Sequence, residues 1–579
     1  MNHDCGMPDA ARVALGSTIG ALLGALCARA IRGLFSVPAG GVGFVTVNAY
    51  PKGWDYAVVA FLVLGALLGG ITRNTEHGTM NGSRSVFRVP RSAFLTVTVF
   101  LLMLFVHDHP YLIMETFHEG EHLTPAFVLK DGGRPYRDIF FLHGFATDGG
   151  LDALVLGDPP SPRRERRMQT VLDAATLALL VPIAAEVCAT TAGVALAVLA
   201  ALSACAAGWL PVFPYYRIAP VLLAALGLLQ FARTRRTRSL FLAFAASTLG
   251  ILWSFETGMY ALAGTVIAML VLRPPWKRTA ILAAIAIALP LLVLVAARAD
   301  IRQFFVDSFV IIPHAIDAIW ALPAPSAFTM EAARYYFAPV FYGFLLALGI
   351  HAWRRGDRAL AARMIVIATL AVFLFRTAAG RVSWSHTRFA LPLLGIAIVA
   401  FLLEPLVLAK RRVAAIVLAI PLIFLLEIGP NLYHGAKLLA GWRARQRHDG
   451  LVAYPLATGK GIYTTQQNHD ELAALNGMLE PGETFLDFSG ERALYYLLQR
   501  RPPLRCPDIH MLSAPPLFNE AMAQLEAHPP AFVVLEGTKQ LSEFDGVPNR
   551  VRVPELAAWI DARYPNRVNV GHFVIATRR

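Results

Sequence analysis

Between two long apolar runs, the stretch ETFHEGEHLTPAFVLKDGGRPYRDIFFLHGF gathers Glu119, Glu121, Asp138, His122 and His143 in a chain that otherwise keeps charge out of its hydrophobic segments. Carboxylates and imidazoles grouped this way suit proton transfer. A solvated loop acid alone proves nothing. Here, however, the apolar stretches AFVL and DIFFLHGF separate the polar residues, so the loop is expected to lie at a membrane interface as short helices. A carboxylate held there is partly desolvated, which is expected to raise its pKa and strengthen it as a proton acceptor. Far downstream, FRTAAGRVSWSHTRFALP carries Arg376, Arg381, His386 and Arg388 at the ends of apolar runs. Arginine forks take phosphate oxygens two at a time, so this cluster suits an anionic leaving group. Glu256, in WSFETGMY, occupies a very tight turn between two apolar runs, where an acid either pairs with an arginine or lines a cavity.

The elements that must position these groups are membrane helices. The chain has 579 residues, 56% hydrophobic and 16% charged, with mean hydropathy +0.52, too apolar for a soluble globular protein. Segments of roughly 17 to 25 mainly apolar residues, the length that spans the hydrocarbon, number about thirteen. They fall near 11–31, 55–72, 92–107, 169–187, 190–208, 217–232, 239–254, 258–272, 279–297, 336–353, 364–378, 388–408 and 412–429. In the first two, Gly16, Gly20 and Gly24 and then Gly65 and Gly69 recur every four residues, a spacing that lets two helix backbones approach as a hairpin. The five cysteines, Cys5, Cys27, Cys188, Cys205 and Cys506, are scattered and indicate neither a disulfide framework nor a thiol metal site.

The net charge of +13 does not signal a nucleic-acid partner, because the basic residues cluster between apolar runs as topology signals. Clusters at Arg73 to Arg91, Arg233 to Arg238, Arg273 to Arg278, Arg354 to Arg363 and Lys410 to Arg412 share one parity. The positive-inside rule then places the N-terminus in the cytoplasm and the 108–168 loop, the 298–335 loop and everything after residue 430 outside. Arg163, Arg164, Arg166 and Arg167 dissent, as snorkelling arginines or as ligands of lipid phosphate. The expected divisions are an N-terminal hairpin and loop (1–91), a transmembrane core (92–430) and an external domain (431–579). In the last, ETFLDFSG, AFVVLEG and HFVIATRR read as strands and ERALYYLLQR and PPLFNEAMAQLEAH as helices, hence a small α/β domain. It carries no phosphate or metal fingerprint and is expected to hold no catalytic centre.

The order HEGEHL, an apolar turn, then GGRPYRDIFFLHG resembles the first external loop of the GT-C superfamily of membrane glycosyltransferases, which take sugars from polyprenyl-phosphate carriers. Glu119 and Glu121 occupy the family's acidic position, Tyr136 and Asp138 its Tyr-x-Asp, and His143 its histidine. His118 stands where the family often has its first acid, HGF replaces a commoner His-Pro-Pro, and the loop follows the third span instead of the first, which suggests an added N-terminal hairpin. The resemblance implies an inverting transferase of the protein mannosyltransferase or aminoarabinose transferase type. Its catalytic residues would be Glu119, Glu121 and Asp138, with Glu119 aligning most simply as the base. Its substrate-binding residues would be His122, Tyr136, Arg137, His143, Glu256, Arg376, Arg381, His386 and Arg388. Its partners would be a polyprenyl-phosphate sugar, a glycan, lipid or protein acceptor, and the lipids of a bacterial inner membrane. No cofactor is expected, although Glu, Asp and His side chains would suit a divalent metal and the superfamily has members with and without one. A transporter of lipid-linked substrate would use the same charges as a pathway, but no inverted repeat is visible and the charges crowd the segment ends. A catalytically silent scaffold is the third reading.

Overall fold

A computed structural model describes residues 7–36, 41–72, 89–207, 214–326, 328–537 and 541–578; Cys5, Arg73, Arg84 and Arg88 lie outside the described residues. In hydrocarbon every backbone N–H and C=O must be satisfied within the chain, and apolar segments therefore fold as helices. Among the described residues, eight helices are long and apolar enough to cross a membrane. The bent pair Arg412–Leu425 and Ile428–Ala440 adds a ninth, and four shorter apolar helices accompany them. Each of the expected spans falls on one of these. The protein is a polytopic integral membrane protein with a small α/β region at its C-terminal end. The helix Trp276–Ala296 exposes Ile281, Ile285, Leu292 and Val295, as a lipid-facing helix must.

The N-terminal hairpin packs as its glycines predict. A Cβ on Gly20 would fall on the Gly65 carbonyl, and one on Gly69 on that of Gly16, so the helices Met7–Ala30 and Lys52–Thr72 touch backbone to backbone. The hairpin lies against the helix Met330–Arg354.

The loops sort to two ends. At one, Arg235 donates to the Leu272 carbonyl at 2.6 Å, Arg233 pairs with Glu186 at 2.7 Å, and Arg273 and Arg358 both lie over the Trp353 ring. Basic clusters that are distant in sequence thus meet. At the other end, the loops around residues 50, 140, 217, 254, 300–325 and 381 interlock. Lys52 bonds the Leu322 carbonyl, Phe255 N–H the His143 carbonyl, and Asp300 N–H that of Pro135.

The C-terminal sheet sits on this second end. Its strands β1 (Leu486–Asp487), β2 (Phe532–Glu536), β3 (Asn566–Val570) and β4 (Phe573–Thr577) run in the order β1-β2-β4-β3, with only β1 and β2 parallel. Side chains alternate along a strand, and both faces are covered. Phe532, Val534 and Ile575 join Leu123, Ala126 and Leu156 of the first loop. Val533 and Ala576, on the opposite face, join Phe140, Leu142, Ile312 and Ile319.

Candidate active site

Two acids two residues apart on a helix project about 200° apart, so one site cannot receive both. The helix His118–Lys130 shows the consequence. Glu119 faces Arg166, whose Nε and Nη2 each lie 2.8 Å from a different carboxylate oxygen, and Arg166 also donates to the carbonyls of Pro110 and Leu112. Arg166 is therefore an internal ion-pair partner, neither snorkelling nor open to a lipid phosphate. Glu121 points the other way and is buried. Its Oε1 lies 2.6 Å from Nη2 of Arg492, and its Oε2 lies 3.7 Å from Arg217 Nη2 and 3.9 Å from His143 Nε2.

Burial works to raise the Glu121 carboxyl, yet the net shift is downward, because the cations around it, Arg492 first, outweigh burial. This corrects the expectation of a raised pKa: the loop does desolvate the acid, but it also brings arginines to it. Asp148, which accepts N–H bonds from His143 and Gly144, is raised to about 6 by burial, with Arg217 pulling the other way. His122 is lowered to about 4 by burial and then by Arg217, and its Nδ1 meets the Thr147 carbonyl. Burial and Arg217 also hold His143 well below its ordinary range.

Arg217 and His143 form one wall of a cavity of about 720 Å³ at this end of the bundle. Arg376, Arg381, His386 and Glu256 line the rest, with Trp320 and Phe389 as apolar sides. Arg376 lies 5.0 Å over the Tyr56 ring, so the N-terminal hairpin supports the wall. Arg381 is held by the Trp320 carbonyl and by both oxygens of Asp545, each at 2.8 Å. His386, whose Nδ1 lies 2.8 Å from Ser383 Oγ, is pushed down to about 3 by burial and then by Arg381 and Arg217; it is a neutral hydrogen-bonding group, not a cation. Three arginines and one carboxylate line the cavity, with Arg381 already paired to Asp545, so an anion bound there would meet Arg217 and Arg376 and share Arg381 with that acid. Glu121 itself lines a smaller cavity of about 330 Å³, together with Asp148, Arg492 and Asp508.

No family profile matches the chain, and no curated protein matches it. Among solved structures it is similar to ArnT from Cupriavidus metallidurans, crystallised bound to undecaprenyl phosphate. The two are 15% identical with a TM-score of 0.48, over 84% of this chain and 98% of that one.

The cavity thus brings together His143, Glu256, Arg376, Arg381 and His386, with Glu121 behind them and His122 in support. Other expected site residues lie elsewhere. Glu119 is consumed by Arg166. Asp138 accepts the Arg134 N–H at 2.7 Å, closing the turn that Tyr136 makes with φ 64°. The Tyr136 ring is buried against Phe141 and Phe304. Arg137 points to solvent, its nearest acid, Asp138, at 3.6 Å. Arg388 is fully buried outside the cavity, 2.7 Å from Glu427 and close to Glu331. Among the described residues no three His, Cys, Asp or Glu side chains converge as metal ligands, and no step below passes through a metal. Arg217, Asp148, Arg492 and Asp545 were not expected from the sequence. Arg217 carried a usable signal: like Arg381, it stands at the expected outer end of an apolar run, against the positive-inside trend.

Proposed function

We propose that the protein is an inverting glycosyltransferase that moves a sugar from a polyprenyl-phosphate carrier to an acceptor hydroxyl on the external face of the membrane. The observation that carries this reading is one buried, ionised carboxylate, Glu121, set beside a cavity walled by Arg217, Arg376 and Arg381. The lipid phosphate lies among these arginines, whose forks bind the charge that grows as it leaves. The acceptor oxygen attacks the anomeric carbon from the opposite side. A new C–O bond forms, the C–O bond to phosphate breaks, the polyprenyl phosphate departs as the anion, and the acceptor proton passes to Glu121. Because Glu121 is a weak base, it takes the proton late, after attack has made the hydroxyl acidic. One base suffices, in contrast to glycosidases, which need two carboxylates. His386 and His143, both neutral, donate hydrogen bonds without adding charge. The external location of the site is supported by Arg233, Arg235, Arg273 and Arg358, which gather at the opposite end of the bundle.

The test is purified protein in lipid vesicles with labelled undecaprenyl-phosphate hexose and a membrane extract as acceptor source. Release of undecaprenyl phosphate with transfer of the label is expected. Movement of the intact lipid between leaflets, with no cleavage, would overturn the reading in favour of a transporter.

A further inference from the structure

Glu121 receives its shortest contact from a part of the chain more than three hundred residues away. Segment 491–493 of the C-terminal region docks on the helix His118–Lys130: Ala493 N–H donates to the Thr116 carbonyl at 2.9 Å, and the Thr124 hydroxyl donates to the Arg492 carbonyl at 2.7 Å. Gly120 makes the approach possible, since a Cβ there would collide with Ala493 N and Arg492 C. The Arg492 guanidinium then lies 4.4 Å over the Phe117 ring, with Nη2 on Glu121 at 2.6 Å and Nη1 on Asp508 at 3.0 Å. Asp508 is in turn 3.0 Å from His510 Nδ1. An arginine fixed by its backbone, a ring and a second carboxylate has little freedom, and neither has the acid it grips.

We propose that Arg492 of the C-terminal domain is the positioning residue for Glu121, completing the base from outside the membrane bundle. The inference rests on Glu121 being that base. Arg492 touches neither sugar nor phosphate; it fixes the rotamer of Glu121 and sets its charge. Several other groups face the same carboxyl. His118 and His122 come from its own helix, His143 and Asp148 from the following loop, Arg217 from the adjoining helix end, and Asp508 and His386 lie further off. The imidazoles that line the site are held neutral, and Asp148 and Asp508 add negative charge. Without Arg492, burial and these acids are opposed only by the weaker pulls of His143, His118 and Arg217.

An opposite charge at such a distance moves a carboxyl pKa by about 1 to 3 units. Arg492→Gln is therefore expected to move protonation of Glu121 from well below the carboxylate range back toward it. Its kcat/KM, taken as a ratio to wild type, should fall by up to about tenfold for each pH unit below the new limb, while donor KM stays within about threefold. Arg492→Lys keeps the charge and loses the fork, and should lower kcat with a ratio flat in pH. The assay is release of undecaprenyl phosphate from labelled undecaprenyl-phosphate hexose by the full-length protein in vesicles, between pH 4 and 8. An Arg492→Gln protein with wild-type kcat across that range, or a loss confined to KM, overturns the proposal. If Arg492→Gln does not fold, Asp508→Asn decides: it unties the far side of Arg492 and should lower kcat at least fivefold with no acid-side fall, and an unchanged kcat overturns the proposal. Glu121→Gln separates the two levels. Activity retained in that variant sinks the base assignment itself, whereas a dead Glu121→Gln beside an Arg492→Gln protein with wild-type kcat sinks only the role of Arg492.

Discussion

Glu119→Gln and Glu121→Gln should fail in different ways, although the two residues are neighbours in one short motif. Glu119 gives both oxygens to Arg166, and the side chains are 17% and 10% exposed. An amide keeps one acceptor oxygen and loses the charge. Hydrogen bonds to charged groups contribute about 1.5 to 3 kcal/mol, and a buried pair broken on one side costs about 3 to 5. Arg166 keeps its bonds to the carbonyls of Pro110 and Leu112, so the expected cost of Glu119→Gln is about 1 to 3 kcal/mol of stability, with kcat changed by no more than a few fold. Glu121→Gln removes a proton acceptor, and general-base loss slows turnover by about 10² to 10⁴. It also strands Arg492, so it too should cost stability, about 1 to 3 kcal/mol, and turnover is what separates the two variants. The assay pairs a thermal melt in detergent with carrier-phosphate release in vesicles. A Glu119→Gln protein with a wild-type melt and no turnover, or a Glu121→Gln protein that still turns over, would refute the division of labour.

Arg381→Ala should raise donor KM about tenfold or more, as expected for a lost charge-assisted phosphate contact of about 1.5 to 3 kcal/mol. Because it also strands Asp545, the double variant Arg381→Ala/Asp545→Ala should recover stability but not donor affinity; recovery of both would remove Arg381 from the phosphate site. Reporter fusions at residues 150 and 450 should read outside and those at 235 and 356 inside, and an inside signal at 150 or 450 would defeat the proposed orientation.

Hydropathy was enough to locate the helices because the membrane imposes both length and internal hydrogen bonding on any spanning segment, and the glycine spacing was enough to pair the first two. The strands Phe532–Glu536 and Phe573–Thr577 were legible too, as short apolar runs, because both faces of the sheet are buried. The arginine wall was partly legible, since Arg376 and Arg381 stand where topology disfavours them. The acidic pair was legible as chemistry but not as geometry: helical spacing says that only one of Glu119 and Glu121 can face a given site, and nothing local says which. That choice is made by Arg166 and Arg492, which meet the helix only after the chain has folded. Asp545 on Arg381 is of the same kind, a contact spanning 164 residues with no local trace. Asp138 stands apart from the cavity for a local reason, the left-handed turn at Tyr136, which directs the acid back onto the Arg134 amide.

The C-terminal sheet has the strand Phe573–Thr577 inside it, between β2 and β3, and the apolar clusters on its faces extend to the first loop and to Ile311–Ile319. In the proposed orientation the sheet closes only once that strand has been exported, and Arg492 gains a settled platform no earlier. The helices can enter the bilayer one after another as they are made, whereas the loop proposed to hold the base would wait for residues beyond 570. Biogenesis would then have a natural safeguard: an unfinished chain sits in the membrane with its arginine cavity built and its base unset, and cannot spend carrier lipid before export is complete.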